Sequence, residues 1–290
     1  MRLRGWAAAL AAWCLVGSAA AQQAPADPLN GQFGMIEAAS APGEALSQAR
    51  MLGQALGGLA PQRAGRLDVY LLVASFWSDP VFLREAAQAE TILKDHFGAE
   101  GRSILLAAAP AGSQRIYAAA TPNNLNAAIA AIGATIDAQE DMVVVFLTSH
   151  GSPDGSMALM EKDRLQGALR PVHLRDALAA AGVRNRVVIV SACYSGAFIA
   201  PLMDERTAVF TAAAHDRTSF GCQPERDWTF FGDALFNHAL RNGASLSGGF
   251  DQAKTLIGQW ERERNLTPPS NPQRYVGPRA AALLAQAERR

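Results

Sequence analysis

The sequence predicts an α/β protein, a three-layer α/β/α sandwich on a mostly parallel sheet. Segments that are aliphatic along their whole length recur (LDVYLLVASF, RSILLAAA, DMVVVFLTS, RVVIVSA and TAVFTAAA), and they lack the polar face of a half-exposed strand. Between them lie longer segments of helical period, and strands of this kind alternating with helices require helices on both faces of a parallel sheet. With 290 residues, 49% of them hydrophobic and 18% charged, the chain can bury such a core.

Taken in order, residues 1–21 begin with Arg2 and Arg4, continue through the apolar run Trp6–Val16 and end in small residues, the layout of a cleaved signal peptide. The apolar run is too short for a stable membrane span. An exported chain, periplasmic or extracellular, is therefore expected. Residues 22–65 are rich in Ala, Gly, Pro and Gln and read as a linker with a surface helix from roughly Ala41 to Leu56. Residues 66–290 form a single domain. Its first strand ends near Phe76, and Asp79 and Pro80 open the first helix, which stops at Gly98. A strand over RSILLAAA follows, and Thr121 and Pro122 open the next helix. The strand DMVVVFLTS leads to a helix over HLRDALAAAG, and RVVIVSA and TAVFTAAA supply two more strands. Helices over DWTFFGDALFNHALRNG and near Phe250 to Arg264 precede a Pro-rich tail.

Formal net charge is zero, which gives no basic footprint for nucleic acid. His150 follows one aliphatic strand, in TSHGS, and Cys193 follows another, in SACYSG. Ligands of open parallel sheets bind beyond the carboxyl ends of the strands, so both side chains are placed where chemistry is done. A thiol becomes a strong nucleophile when a nearby imidazole takes its proton. Glycines and serines around both positions permit sharp turns and leave amide N–H groups as candidate oxyanion donors. His150, Cys193, His215 and Cys222 lack the C-x-x-C or H-x-x-x-H spacing of a zinc site, and a serine nucleophile lacks a G-x-S-x-G turn. No metal and no other cofactor is expected.

The two motifs resemble those of the legumain-like cysteine peptidases, in the clan that contains the caspases. TSHGS is similar to the family's His-Gly motif, SACYSG to its Ala-Cys-x-Ser-Gly motif, and the likeness continues through TAAAHDRTSFGC and TFFGDALF. The resemblance implies a caspase-like fold, Cys193 as the acylated nucleophile and His150 as general base and acid. It implies an oxyanion site at the amides of Gly151 and Cys193, and a peptide or protein substrate. Ser191 and Tyr194 stand where the family's pocket carries acids beside the cysteine. Asp233 matches the pocket's remaining acid, and the pocket's arginine is replaced near Val81. Such a pocket favours a basic or amide side chain before the scissile bond. Asp79 falls where a residue orienting the histidine is expected.

The function expected is thus a secreted or periplasmic cysteine endopeptidase. Two alternatives stand beside it: a transpeptidase or ligase of the same family, and a non-catalytic binding protein in which Cys193 and Cys222 form a disulfide.

Overall fold

The computed structural model describes residues 36–38, 40–110, 112–161 and 164–289. The expected signal peptide at 1–21 lies outside them, as does the start of the linker. In chain order the elements are β1 (Ile36–Glu37), α1 (Pro42–Gly57), β2 (Val69–Ser75), α2 (Pro80–Phe97), β3 (Ser103–Ala107), α3 (Pro122–Thr135), β4 (Met142–Thr148), β5 (Met157–Glu161), β6 (Leu165–Leu169), α4 (Pro171–Ala180), β7 (Arg186–Ser191), α5 (Ile199–Leu202), β8 (Thr207–Thr211), α6 (Phe230–Gly232), α7 (Leu246–Glu263), β9 (Gln273–Val276) and α8 (Pro278–Ala287). Between α6 and α7 the helix continues through a π-helical segment, Asp233–Ala239.

Six strands form the main sheet in the order β3-β2-β4-β7-β8-β9, the first five parallel and β9 antiparallel at the edge. Strands β2, β4, β7 and β8 are buried at every position. Along β2, Val69, Leu71 and Val73 join a core with α2, α7 and α8, while Tyr70, Leu72 and Ala74 join a second core with α3 and α4. The period-2 alternation of a strand thus sorts an unbroken aliphatic run into two apolar faces. The expected three-layer sandwich is what the chain forms.

Local signals act where they are expected. Thr121 Oγ1 accepts the Asn124 N–H at 3.2 Å to cap α3, and Gly98, with φ of 59°, closes α2 in the left-handed conformation. Three departures from the sequence reading have physical causes. First, α1 is more than a surface helix in a linker: it packs on α3 and β3, and the buried Gln48 carboxamide accepts the Ala119 N–H at 2.8 Å. Second, the tail holds strand β9 and helix α8, whose Ala280 and Leu284 complete one core. Third, β5 and β6 pair as an antiparallel hairpin and join β1 in a small second sheet. Among the described residues no helix is long and apolar enough to cross a membrane.

Phe146, at the centre of β4, is fully buried and meets Phe236 edge-on at 4.7 Å. Replacing it with Ala should cost about 3–5 kcal/mol. A urea unfolding midpoint unchanged by Phe146→Ala would show that this ring does not hold the core it faces.

Candidate active site

Strands β4 and β7 run parallel with Thr148 opposite Ser191 as their last register pair. His150 and Cys193 each stand two residues beyond that pair, so equal extension of two neighbouring strands brings imidazole and thiol to the same end of the sheet. The turns that follow touch. A Cβ on Gly151 would fall 1.9 Å from the Cys193 carbonyl oxygen, so only glycine admits this approach of the two backbones. A Cβ on Gly196 would fall 2.5 Å from the His215 nitrogen, which presses the second turn against the end of β8.

His150 is partly exposed, and its ring is boxed edge-on by Trp77 at 4.8 Å and Phe82 at 5.0 Å. Burial lowers its pKa below the usual histidine value, and the charge of Asp79 opposes that shift. Asp79 sits at the N-cap of α2, yet its side chain caps no N–H; Oδ2 lies 3.8 Å from His150 Nε2, an ion-pair distance longer than a hydrogen bond. The neutral imidazole that burial favours is the form able to accept a proton from a thiol.

Cys193 is half-buried. Its sulfur accepts the Ser219 N–H at 3.3 Å and lies 3.6 Å from both the Ser219 hydroxyl and carbonyl oxygens. Tyr194 takes the left-handed conformation with φ of 57°, and its N–H binds the Arg217 carbonyl at 2.7 Å. Among the described residues no backbone carbonyl takes the amide N–H of Gly151 or Cys193. Cys222 is free, like Cys193, so the disulfide of the binding-protein alternative is absent. Burial, and next the charge of Cys193, push the Cys222 thiol upward.

Two of the residues expected to form a specificity pocket, Ser191 and Asp233, have well-defined partners. Ser191 is buried, and its hydroxyl lies 3.1 Å from Thr229 Oγ1 and 3.4 Å from Glu85, inside the protein rather than in a cleft. Asp233 binds Asn237 Nδ2 at 2.8 Å, with Arg226 at 3.8 Å and His238 at 3.6 Å. It lines a cavity of about 470 Å³ with Gln88, Trp228 and Arg241. Gln88 lies nine residues past Asp79 on α2, about 13 Å along the helix. In this cavity the Asp233 carboxylate faces basic partners of its own, Arg226 and His238. Val81 is wholly buried and faces the core.

Sequence reasoning passed over Trp77, Phe82, Ser219 and Glu85. Ser219 carries no signal, being fixed by a loop. Glu85 carries one: it interrupts the buried face of α2 between Phe82, Ala86 and Ala89.

A thiol and an imidazole thus stand at adjacent ends of a parallel sheet, the residue types that a cysteine-dependent hydrolase uses as nucleophile and base. The chain belongs to the Peptidase C13 family, whose model matches residues 108–283, and it is a cysteine peptidase. Among solved structures it is similar to the crystal structure of caspase-1 from Spodoptera frugiperda, with 12% identity, 73% of this chain and 86% of that chain covered, and a TM-score of 0.47. No curated protein matches the chain.

The contact of the two turns yields a direct test. Gly151→Ala should lower the melting temperature and abolish turnover, because Cys193 must move away from the new methyl group. A Gly151→Ala protein with wild-type melting temperature and activity would mean that the turns are not in contact in solution.

Proposed function

We propose that this peptidase is an exported, legumain-like cysteine endopeptidase, acting in the periplasm or outside the cell, with Cys193 as nucleophile and His150 as general base and acid. The observation that carries the reading is the shared register of Thr148 and Ser191, which sets the two side chains on neighbouring strand ends. Export rests on the basic, apolar and small-residue layout of the first 21 residues.

In this reaction the Cys193 thiol proton passes to His150, and the sulfur attacks the scissile carbonyl carbon. The C=O π electrons move onto oxygen, and the amides of Gly151 and Cys193, which have no carbonyl partner among the described residues, are donors available to that oxyanion. Collapse breaks the C–N bond as His150 returns its proton to the leaving amine. Water then attacks the thioester, gives its proton to His150 and releases the carboxylic acid, while the sulfur leaves and is reprotonated. Ser219 steadies the thiolate between steps through the N–H at 3.3 Å. Asp79, 3.8 Å away, supports the imidazolium formed twice in the cycle, foremost by its charge. The substrate class is peptide or protein.

Cys193→Ala and His150→Ala should each abolish peptide cleavage while leaving the circular dichroism and melting temperature nearly unchanged, since the two groups act as one unit. Iodoacetamide at neutral pH should label Cys193 well before Cys222, whose thiol is held protonated by burial. Mass spectrometry of the tryptic peptides reads the order. Cleavage by either folded variant, or first labelling at Cys222, would overturn the assignment.

A further inference from the structure

Burying a carboxyl group is unfavourable unless hydrogen bonds replace the water it loses. Glu85, on α2, has no exposed surface at all. Its partners are three hydroxyls. Thr148 Oγ1 donates to Oε2 in a short hydrogen bond, Thr229 Oγ1 lies 2.6 Å from Oε1, and Ser191 Oγ lies 3.4 Å from the same oxygen. Thr148 and Ser191 are the last paired residues of β4 and β7, two positions before His150 and Cys193. Thr229 caps α6 by accepting the Gly232 N–H at 3.1 Å. Gly232 itself makes room, because a Cβ there would fall 1.9 Å from Glu85 Oε1.

Each hydroxyl carries one proton, and a carboxylate can accept all three. In the protonated acid one of these bonds reverses, and the Ser191 and Thr229 hydroxyls, 3.1 Å apart, can bond each other. Only the anion draws all three hydroxyls of this cage to itself. None of the bond-making steps above uses it. Glu85 nevertheless joins α2, both strand ends and α6 at one point directly beneath the reacting side chains.

Resting on Cys193 and His150 as the reacting pair, we propose that Glu85 is a positioning residue of the peptidase: by collecting the hydroxyls of Thr148, Ser191 and Thr229, its carboxylate holds the strand ends that carry His150 and Cys193 at their working separation.

This arrangement has a pH signature. Burial raises the Glu85 pKa to about 7, with the hydroxyls opposing the shift. The charged or titratable groups on its own helix and on the segments that carry its partners are Asp79 at the N-cap and Arg84 on α2, His150 beyond β4, Cys193 beyond β7, Cys222 in the following loop, and Arg226, Asp227 and Asp233 near α6. Among the described residues none makes an ion pair with Glu85; its charge does reach the site, since it contributes to the raised pKa of Cys222. The folded value of about 7 exceeds the ordinary 4.5, so the folded state holds a proton that the unfolded chain loses first. Stability contributed by this group falls as pH rises from about 4.5 to 7, whereas the anion that completes the cage forms over the upper part of that range. Activity gains what stability gives up.

The test compares wild type, Glu85→Gln, Thr148→Val and Cys193→Ala, using a quenched fluorescent peptide chosen from a library and the rate of Cys193 alkylation by iodoacetamide across pH 5–9. Glu85→Gln should lower kcat at pH 8 by about tenfold or more, with KM within about threefold, as expected when the reacting groups are misplaced while substrate binding stays intact. The acid limb near pH 7 should disappear from its kcat profile. Thr148→Val removes one donor to the carboxylate, so the same limb should move to higher pH. A folded Glu85→Gln enzyme with wild-type kcat and pH profile, changed only in melting temperature, would make Glu85 a structural acid and overturn the proposal. Should Glu85→Gln fail to fold, Thr148→Val decides, and an unshifted limb there overturns it equally. Cleavage by Cys193→Ala would instead remove the catalytic assignment on which the proposal rests.

Discussion

The parallel pairing of β4 with β7 is the constraint on which the rest depends. Six register pairs, from Val143 with Arg186 to Thr148 with Ser191, end both strands at the same level. A slip of one residue would turn every side chain to the opposite face, and Phe146 and Ile189 would leave one core for the other. The aliphatic cores on the two faces thus fix the register, and the register fixes where thiol and imidazole emerge. The geometry proposed for catalysis is a by-product of burying aliphatic side chains.

The strand ends alone do not finish the site. Their turns must approach until Gly151 rests on the Cys193 carbonyl. The ring of His150 must be held between Trp77 and Phe82, which come from the end of β2 and the start of α2. The sulfur needs the loop after β8, which brings Ser219. Each contribution comes from the carboxyl end of a strand or the amino end of a helix, so one edge of one sheet organises the whole apparatus. The small hairpin sheet adds a side to it: Met157 pairs with Gly151, and Met160 with Trp77.

Much of this was legible in the residues. Strands β2, β4 and β7 are buried from end to end, and no other element type hides such runs between turn signals, so both motifs could be placed on strand ends. What escaped did so for physical reasons. The strands β5 and β6 are short and only partly buried, with Gln166 exposed, and their pairing depends on neighbours far along the chain. The four residues of β9 form an edge strand with no wholly buried position. Asp233 carried a motif-level signal, but the direction of a side chain on a π-helical turn is set by packing. Glu85 stood in view on an apolar helical face, and only the fold could say that three hydroxyls awaited it.

The far end of α2 has a different kind of support. Glu288, just past α8, binds His96 Nε2 at 3.0 Å and also takes the Leu246 N–H at the start of α7. The 18 residues of α2 span about 27 Å between this clamp and Asp79. In mechanical terms the helix is a beam held at both ends, not a cantilever projecting from the catalytic edge. A load applied near the C-terminus, by a crosslink, a fusion or a surface, is carried along that beam to the residues that face His150.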